Sequence, residues 1–132
     1  MQISEVVNSG IQPLQNIIML RKIRQAEILD PVSNSPQSVD AMGFAKHQVE
    51  SGLRGLEAMI SQSLQTNPSG FAAGTNFPTV ADLCIVPQAY SAKRFGVDVS
   101  QFPSLALVLS RCEGIPAFQM SHADVQVDAP KA

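Results

Sequence analysis

Apolar residues recur at three- and four-residue steps through the middle of the chain. The stripe lies within residues 39 to 65 and consists of Met42, Ala45, Val49, Leu53, Leu56, Ile60 and Leu64. This period predicts a long helix with one core-facing side. Glu50 and Arg54 stand four residues apart across from the stripe, in the order that favours an ion pair. Gly52 and Gly55 each weaken such a helix by about 1 kcal/mol, which favours close approach of a neighbour over a tolerated surface glycine.

Another apolar run precedes this helix. We expect a first helix over about residues 13 to 28, with Pro13 in its opening turn. Its run Ile17, Ile18, Met19 and Leu20 is apolar nearly all round, so we expect it to be covered on more than one side. Residues 30 to 38 contain two prolines and several small polar side chains, a composition that predicts a loop.

A Thr and an Asp stand at the head of a third apolar run, TVADLCIVPQAY at residues 79 to 90. If Thr79 is the N-cap, its hydroxyl accepts from the Asp82 backbone N–H, and the Asp82 carboxylate accepts from the Thr79 N–H. The next residues, 83 to 86, are all apolar. We therefore predict a helix that runs through the centre of its domain.

Prolines and glycines mark the remaining helix boundaries. Pro87 should kink the central helix, and we expect Gln88 to satisfy a carbonyl that the kink frees. That helix should end near Phe95, before Gly96. A fourth helix is predicted over 103 to 113, between Pro103 and Gly114, followed by a short turn at 116 to 121. Since no segment has a sustained period of two, we predict an all-α fold, an irregular bundle of four to six helices around a kinked, buried central one.

Composition limits the class of protein. With 132 residues and 45% hydrophobic content, we expect one domain over residues 1 to 132. A net charge of -2 without a basic stripe argues against nucleic acid as a partner. We find neither a membrane span nor a secretory signal and expect a soluble, cytoplasmic protein. Cys84 and Cys112 lack metal-ligand spacing, so we expect no metal site and two reduced, partly buried core cysteines.

Three segments together resemble a known family. They are IQPLQN at 11 to 16, TVADLCIVPQAYSAKRFGVD at 79 to 98, and the closing FPSL with PAFQMSHADVQVDAP. They look like the C-terminal helical domain of zeta-class glutathione transferases, the maleylacetoacetate isomerase family. AKHQVESGLRGLE at 45 to 57 also resembles that domain, although the family usually has Trp where Phe44 stands.

The resemblance implies half of a two-domain enzyme, a homodimer in its family. In the family a thioredoxin-like domain of roughly 80 residues comes first and carries a serine-rich motif that lowers the pKa of the glutathione thiol. No SSCS-like segment occurs in this chain, so we expect that domain to be absent here. Because thiolate is the nucleophile, we expect this chain alone not to catalyse the family's reaction. That reaction is thiolate addition to a cis double bond, rotation, and elimination to the trans isomer.

The resemblance also implies binding residues. Gln12 and Asn16 match positions that help to hold glutathione, and Arg94 matches an arginine that binds a substrate carboxylate. From the residues alone, Gln12 and Asn16 suit helix entry, where polar side chains satisfy backbone donors. Lys93 and Arg94 suit the last turn of a helix, where cations complement the helix dipole. A guanidinium fork would equally suit one carboxylate of a dicarboxylic substrate.

Other titratable residues favour structural readings. His47 beside the apolar stripe and His122 near the C-terminus stand near no nucleophile pattern, so we expect both to be structural or solvated. Asp82 in an apolar setting could be a general acid, but the capping geometry explains it better.

Two functions remain open from sequence. The first is the substrate-side helical domain of a maleylacetoacetate isomerase-like transferase, with glutathione as cofactor. The second is an orphan transferase-like domain used for assembly, which binds a protein through the apolar surface that would otherwise contact the thioredoxin-like domain. The partners that the resemblance implies are a thioredoxin-like domain or a homologous subunit. A relic without activity of its own fits the sequence as well as the second.

Overall fold

A computed structural model describes residues 2–25, 27–29, 36–38 and 40–129, the second and third ranges by their backbone only. This part of the chain is mainly helical, which confirms the predicted fold class. Its α-helices are α1 (Gln2–Glu5), α2 (Ile17–Gln25), α3 (Ala41–Thr66), α4 (Val80–Arg94), α5 (Pro103–Glu113) and α6 (Pro116–Met120). A π-helical segment and 3-10 turns complete it, at Val6–Ile11, Gln12–Gln15, Val99–Gln101 and Ala123–Val125.

The bounds of α3 and α5 are close to the predicted ranges. Asp40 caps α3, and its carboxylate accepts from the Gly43 N–H at 2.9 Å. Pro103 opens α5 and Gly114 follows its last residue, as expected. Helix α4 ends at Arg94, and Gly96 beyond it adopts a φ of 71°, a conformation that costs glycine little.

The core lies between α3, α4, α5 and the π-helical segment. Five members of the predicted α3 stripe are buried, namely Ala45, Val49, Leu53, Leu56 and Ile60. Leu64 is half-buried. Met42 is exposed and Ala41 is buried instead, so the predicted stripe is wrong by one position at its start. Glu50 and Arg54 form the expected surface ion pair at 3.7 Å.

The two α3 glycines have different surroundings. A Cβ built on Gly52 would lie 2.3 Å from Cγ1 of Ile11, whose side chain is fully buried. This confirms the close approach predicted for Gly52. A Cβ on Gly55 would meet nothing within 4 Å, so at Gly55 the alternative, a tolerated surface glycine, is correct.

The N-terminal part differs from the prediction. Helical structure begins at Gln2, and the single helix expected over 13–28 is a 3-10 turn, Gln12–Gln15, followed by α2, which ends at Gln25. Ile17 and Ile18 are each 63% exposed and Met19 is 43% exposed, and only Leu20 of this run is buried. The expectation of cover on several sides is therefore wrong, because α2 packs by one face and leaves the other uncovered.

Two short strands follow α2. Strands β1 (Glu27–Leu29) and β2 (Pro36–Ser38) pair antiparallel, with Ile28 opposite Gln37. The predicted loop over 30–38 is therefore wrong at residues 36–38, where backbone pairing outweighs the turn-forming composition. The rest of that prediction lies outside the described residues.

Long-range polar contacts fix α5 against its neighbours. Both carboxylate oxygens of Glu57 on α3 accept backbone N–H bonds at 2.9 Å, one from Ser104 and one from Leu105 in the first turn of α5. Toward the other end of α5, the Arg111 guanidinium donates to the carbonyls of Pro68 and Gly70. The helix is thus held at both ends by side chains that reach across the bundle.

Candidate functional site

The start of α4 is fixed by the predicted capping box. The Thr79 hydroxyl accepts from the Asp82 N–H, and the Asp82 carboxylate accepts from the Thr79 N–H at 2.8 Å, so both halves of the box are present. The hydroxyl also accepts from the Ala81 N–H at 3.3 Å. The other carboxylate oxygen of Asp82 accepts from the Ala72 N–H at 2.9 Å. Asp82 is fully buried, and these bonds replace its lost hydration. It therefore ties the 67–78 loop to α4, which is a structural task.

Helix α4 buries one face and exposes the other. Ile85, Gln88 and Ala92 face the core, whereas Val80 is 64% exposed and Leu83 is 60% exposed. The expectation that α4 runs through the centre of its domain is thus wrong for this outer face, which faces solvent. The interval of three residues between Val80 and Leu83 places both on one side of the helix. The result is an apolar surface that begins at the capping box.

A pair of side-chain amides, one from buried Gln88 and one from half-buried Gln15, joins α4 to the segment before α2. Gln88 and Gln15 exchange two side-chain hydrogen bonds, each 3.1 Å long. Gln88 was expected to satisfy a carbonyl freed by Pro87, and this expectation is wrong because its amide is taken up by Gln15. No local signal could reveal a pair separated by 73 positions.

The resemblance-based residues are near this amide pair along the chain. Gln12 and Asn16 flank Gln15 in the chain. Arg94 lies six residues after Gln88, or about 9 Å along the helix axis. Gln12 and Arg94 are both exposed. Asn16 has a structural task of its own, because its side-chain oxygen accepts from the Ile18 N–H at 2.8 Å at the start of α2.

A second polar cluster lies near the C-terminal end of α4. The Tyr90 hydroxyl donates to Asp124 Oδ1 at 2.7 Å, and the Tyr90 ring meets the His122 ring edge-on with centroids 5.2 Å apart. His122 Nδ1 lies 3.6 Å from the other Asp124 oxygen. The Asp124 hydrogen bond and charge raise the pKa of Tyr90, whereas the charge of Arg94 lowers it. His122 therefore has a structural contact, and His47 is exposed on α3.

A cavity of about 650 Å³ adjoins this cluster. Its walls come from α4, α5, α6 and the residues after α6. The apolar lining residues are Leu83, Val86, Pro87, Leu109, Phe118 and Val125. The charged and titratable residues of its lining are Tyr90, Lys93, Glu113 and His122. Another cavity, of about 670 Å³, lies beside the capping box between α1, α3 and α4.

Neither cysteine has the surroundings of a nucleophile. Cys112 is buried, and burial, followed by the charges of Asp82 and Glu113, raises its pKa to about 11. Cys84 is half-buried, and Asn8 Nδ2 lies 3.9 Å from its sulfur. Both are free thiols. Within the described residues, no three His, Cys, Asp or Glu side chains cluster as metal ligands would, and no helix there has the length and apolar character that crossing a bilayer requires.

Comparison with known proteins gives consistent relatives. No protein-family model matches the chain. The chain is 32% identical over 128 residues to a maleylacetoacetate isomerase of Mus musculus, covering 97% of this chain and 51% of that protein. It is 36% identical over 126 residues to a probable maleylacetoacetate isomerase of Caenorhabditis elegans, covering 96% of this chain and 52% of that protein. The chain thus spans about half the length of these relatives.

Solved structures show the same relationship. A maleylacetoacetate isomerase from Anaeromyxobacter dehalogenans, with glutathione bound in its active site, matches with a TM-score of 0.80 and 35% identity over 98% of this chain and 53% of that one. Another structure of that enzyme holds dicarboxyethyl glutathione and citrate in its active site. A maleylpyruvate isomerase described as a zeta-class bacterial transferase has the same fold, with a TM-score of 0.76.

Proposed function

We propose that this chain, whose sequence and fold are those of the C-terminal helical domain of zeta-class glutathione transferases, is the substrate-side domain of a maleylacetoacetate isomerase. The observation that carries the proposal is the similarity over almost the whole chain to one half of proteins with that name. Structures of relatives hold glutathione in the active site. A thioredoxin-like domain would complete the site and activate the thiol.

In the proposed reaction the glutathione thiolate adds to one carbon of a cis carbon–carbon double bond. The new C–S bond leaves a single bond about which the substrate rotates, and elimination of the thiolate restores the double bond as trans. Arg94 would bind a substrate carboxylate through its guanidinium fork, while Gln12 and Asn16 would contribute to holding glutathione. Among the described residues, the Cys112 thiol cannot replace the glutathione thiolate, since burial raises its pKa to about 11. We therefore expect no turnover by the isolated chain.

The outer face of α4 supports a protein partner. Phe77 is 66% exposed and precedes the capping box, and exposed Val80 and Leu83 follow it on α4. Contiguous exposed apolar side chains mark surfaces that other proteins cover. Docking a thioredoxin-like domain there would remove this surface from water and bring the thiol-activating motif toward α4.

Reconstitution tests the proposal directly. The chain would be mixed with glutathione and a separately produced thioredoxin-like domain of a family member, and cis-to-trans isomerisation of maleylacetoacetate would be followed. We expect turnover only when both proteins are present. Loss of charged hydrogen bonds from Arg94→Gln should lower kcat/KM by about 10- to 100-fold, while Arg54→Gln on the exposed side of α3 serves as the charge-matched control. Association of the two proteins without turnover would contradict the proposal.

The alternative is an orphan domain used for binding or assembly. Exposed Ile17, Ile18 and Met19 on α2 form a further apolar surface that would suit a second copy of the chain, and a homodimer is part of this proposal. Molar mass measured by light scattering across protein concentration tests it. A strictly monomeric chain that binds no apolar dye would argue against both surfaces.

A further inference from the structure

The C-terminal segment, residues 121–129, contacts the side chain of Tyr90 on α4. The Tyr90 hydroxyl donates to Asp124 at 2.7 Å, and the His122 ring stands edge-on to the same tyrosine. Ser121, His122 and Val125 of this segment line the 650 Å³ cavity. The position of one cavity wall therefore depends on a contact that is more than thirty residues distant in sequence.

The same hydroxyl lies beside the proposed carboxylate-binding residue. Tyr90 and Arg94 are four residues apart on α4, the spacing at which side chains of a helix are neighbours. The charge of Arg94 lowers the pKa of Tyr90, whereas Asp124 raises it. The titratable or charged groups around Tyr90 are Lys93 and Arg94 from α4, Glu113 from α5, and His122 and Asp124 from the C-terminal segment.

We infer that the Tyr90–Asp124 hydrogen bond is a latch that holds the Asp124 carboxylate against Tyr90, one helical turn before Arg94, so that the C-terminal segment and an anionic ligand compete for the same end of α4. Tyr90 is then a positioning residue. The negative charge of Asp124 repels an incoming carboxylate ligand, which therefore binds more weakly unless Asp124 moves away. That the ligand carries a carboxylate rests on the function proposed for Arg94, whereas the latch between Tyr90 and Asp124 does not rest on that function.

The chain carries a built-in reporter for the latch. Tyr90 is the single tyrosine and there is no tryptophan, so the absorbance of tyrosinate near 295 nm (a general property of phenolate) reports this side chain alone. We expect Tyr90 in the wild type to titrate above its ordinary pKa of 10.0. Asp124→Asn should lower the pKa toward 10.0, and Arg94→Gln should raise it further. Glu50→Gln removes a carboxylate that pairs with Arg54 instead and should leave the titration unchanged.

Competition is measured with maleate as the probe, by NMR titration of the isotopically labelled chain against chloride at equal ionic strength. We expect Asp124→Asn and Tyr90→Phe to tighten maleate binding about two- to fivefold, as an exposed charge pair contributes, and Arg94→Gln to abolish it. Equal affinity of wild type and Asp124→Asn would overturn the competition. A Tyr90 pKa that does not respond to Asp124→Asn would overturn the latch. Absence of saturable binding in every variant would instead refute the function of Arg94.

Discussion

Gly52 and Gly55 stand one turn apart on α3 and should respond in opposite ways to substitution by alanine. The added methyl at Gly52 would lie 2.3 Å from Ile11 Cγ1, and Ile11 is fully buried, so it cannot move aside without disturbing its neighbours. Overpacking of this kind costs about 1–3 kcal/mol, while the better helix propensity of alanine returns about 1 kcal/mol. Gly52→Ala should therefore lower the free energy of unfolding by about 0–2 kcal/mol.

Gly55→Ala is the matched control. Its methyl would meet nothing within 4 Å, so the propensity gain of about 1 kcal/mol remains unopposed. The two variants should differ by about 1–3 kcal/mol, or roughly 4 °C in Tm for each kcal/mol. Urea unfolding followed by far-UV circular dichroism measures the difference, with the m-value as a check that the transition itself is unchanged. If both variants were stabilised equally, the proposed contact between Ile11 and α3 would be refuted.

Three further results are expected. Thr79→Ala should cost about 0.5–2 kcal/mol in urea unfolding, whereas Thr79→Ser keeps the hydroxyl and should cost less; an unchanged midpoint for Thr79→Ala would remove the cap. Gln15→Leu should cost about 1–3 kcal/mol because it leaves the buried Gln88 amide unpaired, whereas Gln88→Leu leaves the half-buried Gln15 amide, which water reaches, and should cost less. The double variant should cost less than the sum of the two single variants, and additive losses would contradict the reciprocal pair. Folding raises the pKa of Cys112 from 9.0 to about 11, so the free energy of unfolding should be undiminished below pH 9 and fall as the pH rises toward about 11. Cys112→Ala should make this fall smaller, and the same dependence of unfolding free energy on alkaline pH in wild type and variant would contradict the argument.

Local signals account for the parts of the fold that were predicted well. Helix α5 has the expected bounds because a proline opens it and a glycine follows it, and both act through their own backbone. The start of α4 was predictable because Thr79 and Asp82 bond to each other across three residues. The stripe of α3 gave its core face, since a period of 3.6 requires no knowledge of the partner helix.

The errors arise where a distant residue decides. The sequence does not distinguish an exposed apolar side chain from a buried one, so it predicts Ile17 and Leu83 to be buried. Gln88 was assigned a local partner because Gln15 is 73 positions away. The π-helical segment Val6–Ile11 has no composition that marks it. Of the candidate site, the resemblance supplied Gln12, Asn16 and Arg94, while the Tyr90–Asp124 contact required the three-dimensional arrangement.

The forked contact of Glu57 with the start of α5 has a consequence for how the protein opens. Both oxygens of one α3 side chain hold the Ser104 and Leu105 amides, so α5 cannot fray from its first turn without releasing a charge from its partners. Native-state hydrogen exchange should therefore show these two amides opening together with the middle of α3, as one cooperative unit. In Glu57→Gln, the Ser104 and Leu105 amides should exchange through local opening of the first turn of α5, independently of α3.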